Sequence, residues 1–238
     1  MEQRKKANHS VADECVDLAM RKIRVLDKES GVIDFEEHPR ARTLYATPDY
    51  LKEKFAAPLA IPLLGIDPEK NFGALREVID GKRILLVGGG RSLGDVTSSR
   101  LFAPKALVNV DPFLPHESIK RTSAKDYYKS MPLHVDPTKR DFITEMHDHG
   151  HGTFDEIWAT FSIPNYCKTA EEIEVFFENI YEMLAPGGYI RIYPVGFYTE
   201  KMTEEELAER ADELGRGLLS ALGKLAEKDD IEMSAQNN

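Results

Sequence analysis

Short apolar runs alternate with stretches of helical spacing from Lys82 to Val195, and this alternation restricts the fold more than any other feature. "RILLV" (83–87), "ALVNV" (106–110), "PLHV" (132–135), "FDEIWATF" (154–161) and "YIRIYPV" (189–195) read as strands. "LGDVTSSRLF", "HESIKRTSAKDYYK", "TKRDFITEMHD" and "TAEEIEVFFENIYEML" between them read as helices. Strands separated by helices need right-handed crossovers, which make a parallel sheet with helices on both faces. The expected fold class is therefore α/β, doubly wound, with a mainly parallel sheet.

The flanks are helical. "SVADECVDLAMRKIRVLDKES" places Val11, Cys15, Leu18, Ala19, Ile23 and Leu26 at helical spacing, with Ser10 as the expected cap. "TPDYLKEKFA" and "DPEKNFGALREVIDG" read as two further helices. After Thr199, Leu207, Ala211, Leu214, Leu218, Leu222 and Leu225 keep the helical period, and Thr203 with Glu206 makes a capping box. Gly215, Gly217 and Gly223 weaken that helix. The expected organisation is an N-terminal helical extension or lid over 1–60, a core over 61–200, and a C-terminal amphipathic helix with a disordered tail over 201–238.

Composition narrows the class. With 42% hydrophobic and 30% charged residues the 238-residue chain reads as an ordinary globular protein. A formal net charge of −10 speaks against a nucleic-acid surface, because phosphate neutralisation dominates such binding. "QRKK" (3–6) reads as a frayed, solvated end. Two cysteines, Cys15 and Cys167, form no Cys-x-x-Cys pair. With no signal-like or membrane-length apolar run, a cytoplasmic location is expected.

The chemistry is expected where the first strand ends. "ILLVGGGRSLGD" runs into Gly88, Gly89 and Gly90, and Asp111 ends the second strand twenty-one residues after Gly90. In an open parallel sheet, ligands bind beyond the carboxyl ends of the strands at the switch point. Bare backbone lets a ligand approach closely, and a carboxylate beside it can accept both hydroxyls of a ribose. The pair implies an adenosine-containing ligand. The dinucleotide pattern Gly-x-Gly-x-x-Gly is not met, since Leu93 stands where the third glycine belongs and Gly94 comes one position late.

Five motifs in order carry a resemblance. "LLVGGGRS", Asp111, "HVDP" with Asp136, "FDEI" with Phe154, Asp155 and Ile157, and "LAPGG" with Leu184, Pro186, Gly187 and Gly188 resemble the class I S-adenosylmethionine-dependent methyltransferases over about residues 60 to 198. The resemblance implies S-adenosylmethionine as cofactor. It implies that Gly88, Gly89, Gly90 and Ser92 pass beneath its methionine part, and that Asp111 holds the ribose. It puts Pro112 or Phe113 against the adenine, Asp136 toward the adenine amino group, and Phe161 and Ser162 toward the methyl group and substrate. Leu86 stands where the family often carries an acid. No two further strands can be placed in "IEMSAQNN", so the family's usual last strands are missing, or a helix or another chain covers the edge.

The expected activity is methyl transfer to an oxygen or nitrogen of a small molecule. The alternatives are a non-catalytic relative acting through cofactor or partner binding, an aminopropyl transferase, and a nicotinamide oxidoreductase. A homodimer is a further expectation, and neither nucleic acid nor membrane is an expected partner. Arg40, Arg42, Tyr45 and Tyr50 are candidates to meet substrate in the lid. His116, His134, Tyr166 and Tyr198 fall near strand ends, but none is placed decisively enough to be named the base. "HDHGHG" (147–152) reads as a solvated loop at the opposite end of the sheet, and no metal site is expected. "SIPNYC" superficially resembles the Asn/Asp-Pro-Pro-Tyr loop of enzymes that methylate amino groups of nucleic acids, but it has one proline, and Asn165 follows it.

Overall fold

The structure is a computed structural model that describes residues 2–21, 23–26, 72–88, 102–112, 133–160, 162–193, 195–200 and 203–235. Four strands, β2 (Arg83–Val87), β3 (Ala106–Val110), β4 (Phe154–Thr160) and β5 (Leu184–Tyr193), form one sheet in the order β3-β2-β4-β5. Every pairing in it is parallel. "PLHV" contributes only an isolated parallel bridge from Leu133 to Val110. It extends the strand order beyond β3 without becoming a strand.

Residues Ile84 to Val87 are fully buried. Because neighbouring strand residues point to opposite faces, both faces of β2 are covered, as the unbroken run "ILLV" requires. Leu85, Val87, Val108, Val110, Ile157 and Ala159 share one core with Phe142 and Met146 of α3 (Phe142–Asp148). Ile173, Phe176 and Ile180 of α4 (Ala170–Glu182) complete it. The other face holds the buried Ile84, Leu86 and Trp158, and α2 (Phe72–Ile79) buries Leu75 and Ile79. One charged pair lies inside the sheet. Glu156, 3% exposed, accepts from Trp158 Nε1 at 2.9 Å and from Arg191 Nε at 2.9 Å.

The flanking helices pack together. α1 (Glu2–Arg21) buries Asn8, Ala12 and Ala19 along one stripe against α5 (Glu204–Ala226). The capping box of α5 is present: Thr203 N–H donates to Glu206 Oε2 at 2.8 Å, and Glu206 N–H to Thr203 Oγ1 at 3.3 Å. Two glycines of α5 mark close approaches. A Cβ at Gly215 would stand 2.9 Å from Met20 Sδ of α1, and one at Gly217 would stand 2.6 Å from Ala170 Cα of α4. They cost helix propensity and permit tight packing on both sides.

Four expectations are corrected. α1 starts at Glu2, so Ser10 lies inside it and caps nothing. "QRKK" is bound: Arg4 Nη1 donates to Asp229 O at 3.2 Å, and Lys5 Nζ lies 3.2 Å from Asp229 and 3.5 Å from Glu227. The acidic chain after α5 draws in the basic end. Asn8 holds that chain as well, donating to Ile231 O at 3.0 Å and accepting from Met233 N–H at 3.0 Å, so the start of the expected disordered tail is hydrogen-bonded to α1. Finally, the first helix does not reach Leu26. β1 (Ile23–Leu26) pairs in parallel with β6 (Phe197–Glu200) in a separate two-stranded sheet. The stretches read as helices at 47–56 and 116–129 lie outside the described residues, as does the one at 93–102 apart from Phe102, which is not helical.

Candidate functional site

Three parallel strands bring their carboxyl ends to one rim. Register pairs Val87 of β2 with Val110 of β3 on one side and with Ala159 of β4 on the other. The next residues, Gly88, Asp111 and Thr160, therefore stand abreast. Gly88 N–H donates to Val110 O at 2.8 Å, and Asp111 N–H to Leu133 O at 3.0 Å. Leu133 N–H in turn reaches Asn109 O at 2.7 Å. The Asp111 backbone is thus fixed between β2 and the Leu133 bridge, with the residue 8% exposed and Pro112 half-buried beside it. The chain winds outward from β2 through β3 to Leu133, then crosses to β4 and β5 on the other side. The β2–β4 boundary is the switch point, where an open parallel sheet leaves a crevice.

Gly88 has φ +60, and a Cβ there would fall 2.4 Å from Ser162 Cβ. The room its missing side chain leaves is taken by Ser162, whose Oγ donates to Val87 O at 2.6 Å. The bare backbone at 88 thus serves close packing between strand ends. Gly89, Gly90, Ser92, Phe113 and Phe161 lie outside the described residues, as do His116, Arg40, Arg42, Tyr45 and Tyr50.

Asp136 stands three residues beyond Leu133. Its Oδ1 accepts from Thr138 N–H at 2.9 Å and from Thr138 Oγ1 at 2.7 Å, closing its own turn. Lys139 Nζ is 4.0 Å from its Oδ2. Beyond Ser162 the chain folds tightly, with Asn165 N–H donating to Ser162 O at 2.8 Å and Cys167 N–H to Pro164 O at 3.0 Å. Asn165 is 1% exposed, and among the described residues nothing donates to its Oδ1. In the sequence Asn165 stands only as a departure from the nucleic-acid motif; its burial without a donor exists only in three dimensions. Burial, followed by the nearby Glu172 and Asp136 carboxylates, pushes the Cys167 thiol up, so it stays protonated and is no nucleophile. His134 is exposed and Tyr166 half-buried.

No family model and no curated protein matches this chain. Solved structures do. An N-methyltransferase, NodS from Bradyrhizobium japonicum WM9, is 15% identical, with 66% of this chain and 80% of that one covered at a TM-score of 0.39. DesVI from Streptomyces venezuelae is 18% identical, covering 69% and 58% at 0.40. PH0226 protein from Pyrococcus horikoshii OT3 is 19% identical, covering 77% and 68% at 0.42.

The chain resembles the class I S-adenosylmethionine-dependent methyltransferases.

That resemblance is one of motif order and parallel α/β architecture, and the spans are partial: this chain corresponds to 58% of DesVI. The functional reading therefore rests on the rim itself. The histidines of "HDHGHG" precede β4, at the end of the sheet opposite Asp111, with His147 and His149 exposed. Burial, helped by the Arg83 charge, lowers the His151 pKa. Among the described residues no cluster of three or more His, Cys, Asp or Glu could hold a metal ion, and no helix is long and apolar enough to cross a membrane.

Proposed function

We propose that the crevice at the β2–β4 switch point binds S-adenosylmethionine, and that the chain uses it to methylate an oxygen or nitrogen of a small molecule in the cytoplasm. One observation carries this reading: Asp111 is buried at the rim, abreast of Gly88, where a parallel sheet opens. A carboxylate so placed suits a pair of vicinal hydroxyls. Pro112 or Phe113 would stand against the adenine, and Asp136 would face its amino group. Gly88, Gly89, Gly90 and Ser92 would pass beneath the methionine part, and Phe161 and Ser162 would face the methyl group and substrate.

The bound cofactor supplies a methyl carbon made electrophilic by its sulfonium. The residues of this chain orient and enclose. In-line displacement gains most from alignment, so the fixed spacing of Asp111, Gly88 and Ser162 across three hydrogen-bonded strands is the main contribution. The net charge of −10 favours a small substrate over a nucleic acid.

Calorimetric titration with S-adenosylmethionine, S-adenosylhomocysteine and NAD tests the reading, with Asp111→Ala as control. Binding of the first two alone, lost in the variant, is the expected result. Binding of NAD instead, or of none of the three, overturns it.

A further inference from the structure

Within the described residues, one buried side-chain atom has no hydrogen-bond partner: Oδ1 of Asn165. Native interiors carry few such groups, and each is a standing cost in the folded state. We infer that Asn165 is a specificity residue of the crevice, accepting from the ammonium group at the amino-acid end of the cofactor. The inference rests on the cofactor reading above and assigns the end of the ligand that Asp111 does not hold.

The position supports it. Asn165 is tied to the rim in two steps, through its own N–H to Ser162 O at 2.8 Å and through Ser162 Oγ to Val87 O at 2.6 Å. Asp111 follows β3, on one side of Gly88, and the Ser162–Asn165 turn follows β4, on the other. A ligand whose ribose lies at Asp111 and whose body crosses the end of β2 is directed toward that turn. The strand between provides no acid for a cation: Leu85, Leu86 and Val87 are apolar and fully buried. On β4, Glu156 is committed to Trp158 and Arg191. An amide oxygen is a sound acceptor for an N–H of an ammonium group, and hydrogen bonds to charged groups are the stronger ones.

Two ligands separate this role from a structural one. S-adenosylhomocysteine carries the ammonium; methylthioadenosine keeps the nucleoside and sulfur and lacks the amino-acid part. Both are titrated into the full chain as wild type, Asn165→Ala and Asn165→Asp, and thermal unfolding establishes that each variant is folded. Asn165→Ala should weaken S-adenosylhomocysteine roughly ten- to a hundredfold, the range for a hydrogen bond to a charged group, and leave methylthioadenosine unchanged. Asn165→Asp, which keeps an oxygen at the same reach, should retain S-adenosylhomocysteine binding; should the alanine variant not fold, Asn165→Ser, whose shorter side chain withdraws the acceptor, takes its place with the same expected loss. If the shortened variant weakens both ligands alike, or neither, the assignment of Asn165 falls and the cofactor reading stands. If the wild type binds neither ligand, the cofactor reading itself falls.

Discussion

Replacing Gly88 by alanine probes the rim most directly, and its cost can be worked from two features. The residue sits at φ +60, where a side chain costs about 1–2 kcal/mol. The new Cβ would lie 2.4 Å from Ser162 Cβ and 3.1 Å from its Oγ, well inside van der Waals contact, and overpacking of this kind costs about 1–3 kcal/mol. Together Gly88→Ala should lose about 2–5 kcal/mol, a large part of the stability of a typical domain. A double-mutant cycle divides the two terms. Ser162→Ala removes the hydrogen bond to Val87 O, worth about 1 kcal/mol net, but keeps the obstructing Cβ, so it should relieve Gly88→Ala little. Ser162→Gly removes that Cβ and should show a coupling of about 1–3 kcal/mol with Gly88→Ala, leaving only the backbone term. Urea unfolding followed by circular dichroism measures all of these. A Gly88→Ala loss under about 0.5 kcal/mol, the range of an indifferent surface change, would refute the packing argument, as would equal coupling to both serine variants.

Three other changes have defined outcomes. Arg191→Met leaves Glu156 in the sheet with Trp158 as its one donor among the described residues and should cost about 3 kcal/mol, the low end for a broken buried pair because Arg191 is itself 23% exposed; a melting temperature equal to wild type would contradict it. Asn8→Ala removes two hydrogen bonds to the chain after α5, about 1 kcal/mol each, and should speed hydrogen exchange at the Met233 amide, whereas an unchanged rate would show the tail held by other means. The N–H of Ala103, and then Arg76, hold the Asp80 carboxyl below its ordinary value of 3.8. A depressed folded value contributes stability above the ordinary one and loses it as pH falls through the folded one. Wild type should therefore exceed Asp80→Asn in urea midpoint at neutral pH and converge on it in acid; a constant gap would contradict the assignment.

What could be read in advance was local. "ILLV" is apolar without alternation because a central parallel strand is covered on both faces, and Ile84 to Val87 are indeed buried. Asp111 ends its strand level with Gly88 because two runs of equal length pair in register. Thr203 and Glu206 lie within one helical turn, so their capping box is written in four residues. What escaped depended on distant partners. Ile23 and Leu26 continue the spacing of the first helix, and nothing near them reveals that 197–200 will pair there. The basic "QRKK" looked solvated because its acids are over two hundred residues away. Gly88 signalled a bare backbone, but the neighbour it admits, Ser162, is set by the β2–β4 pairing.

The packing of α1 against α5 sets a schedule for synthesis. The stripe of Ala12 and Ala19 is synthesised well before its cover, which begins at Glu204, after an interval of 183 residues from Arg21. At about 5–20 residues per second that is a wait of roughly ten to forty seconds. Throughout it the nascent helix has no native cover from α5, so a chaperone that shields small apolar stripes has its opportunity at α1.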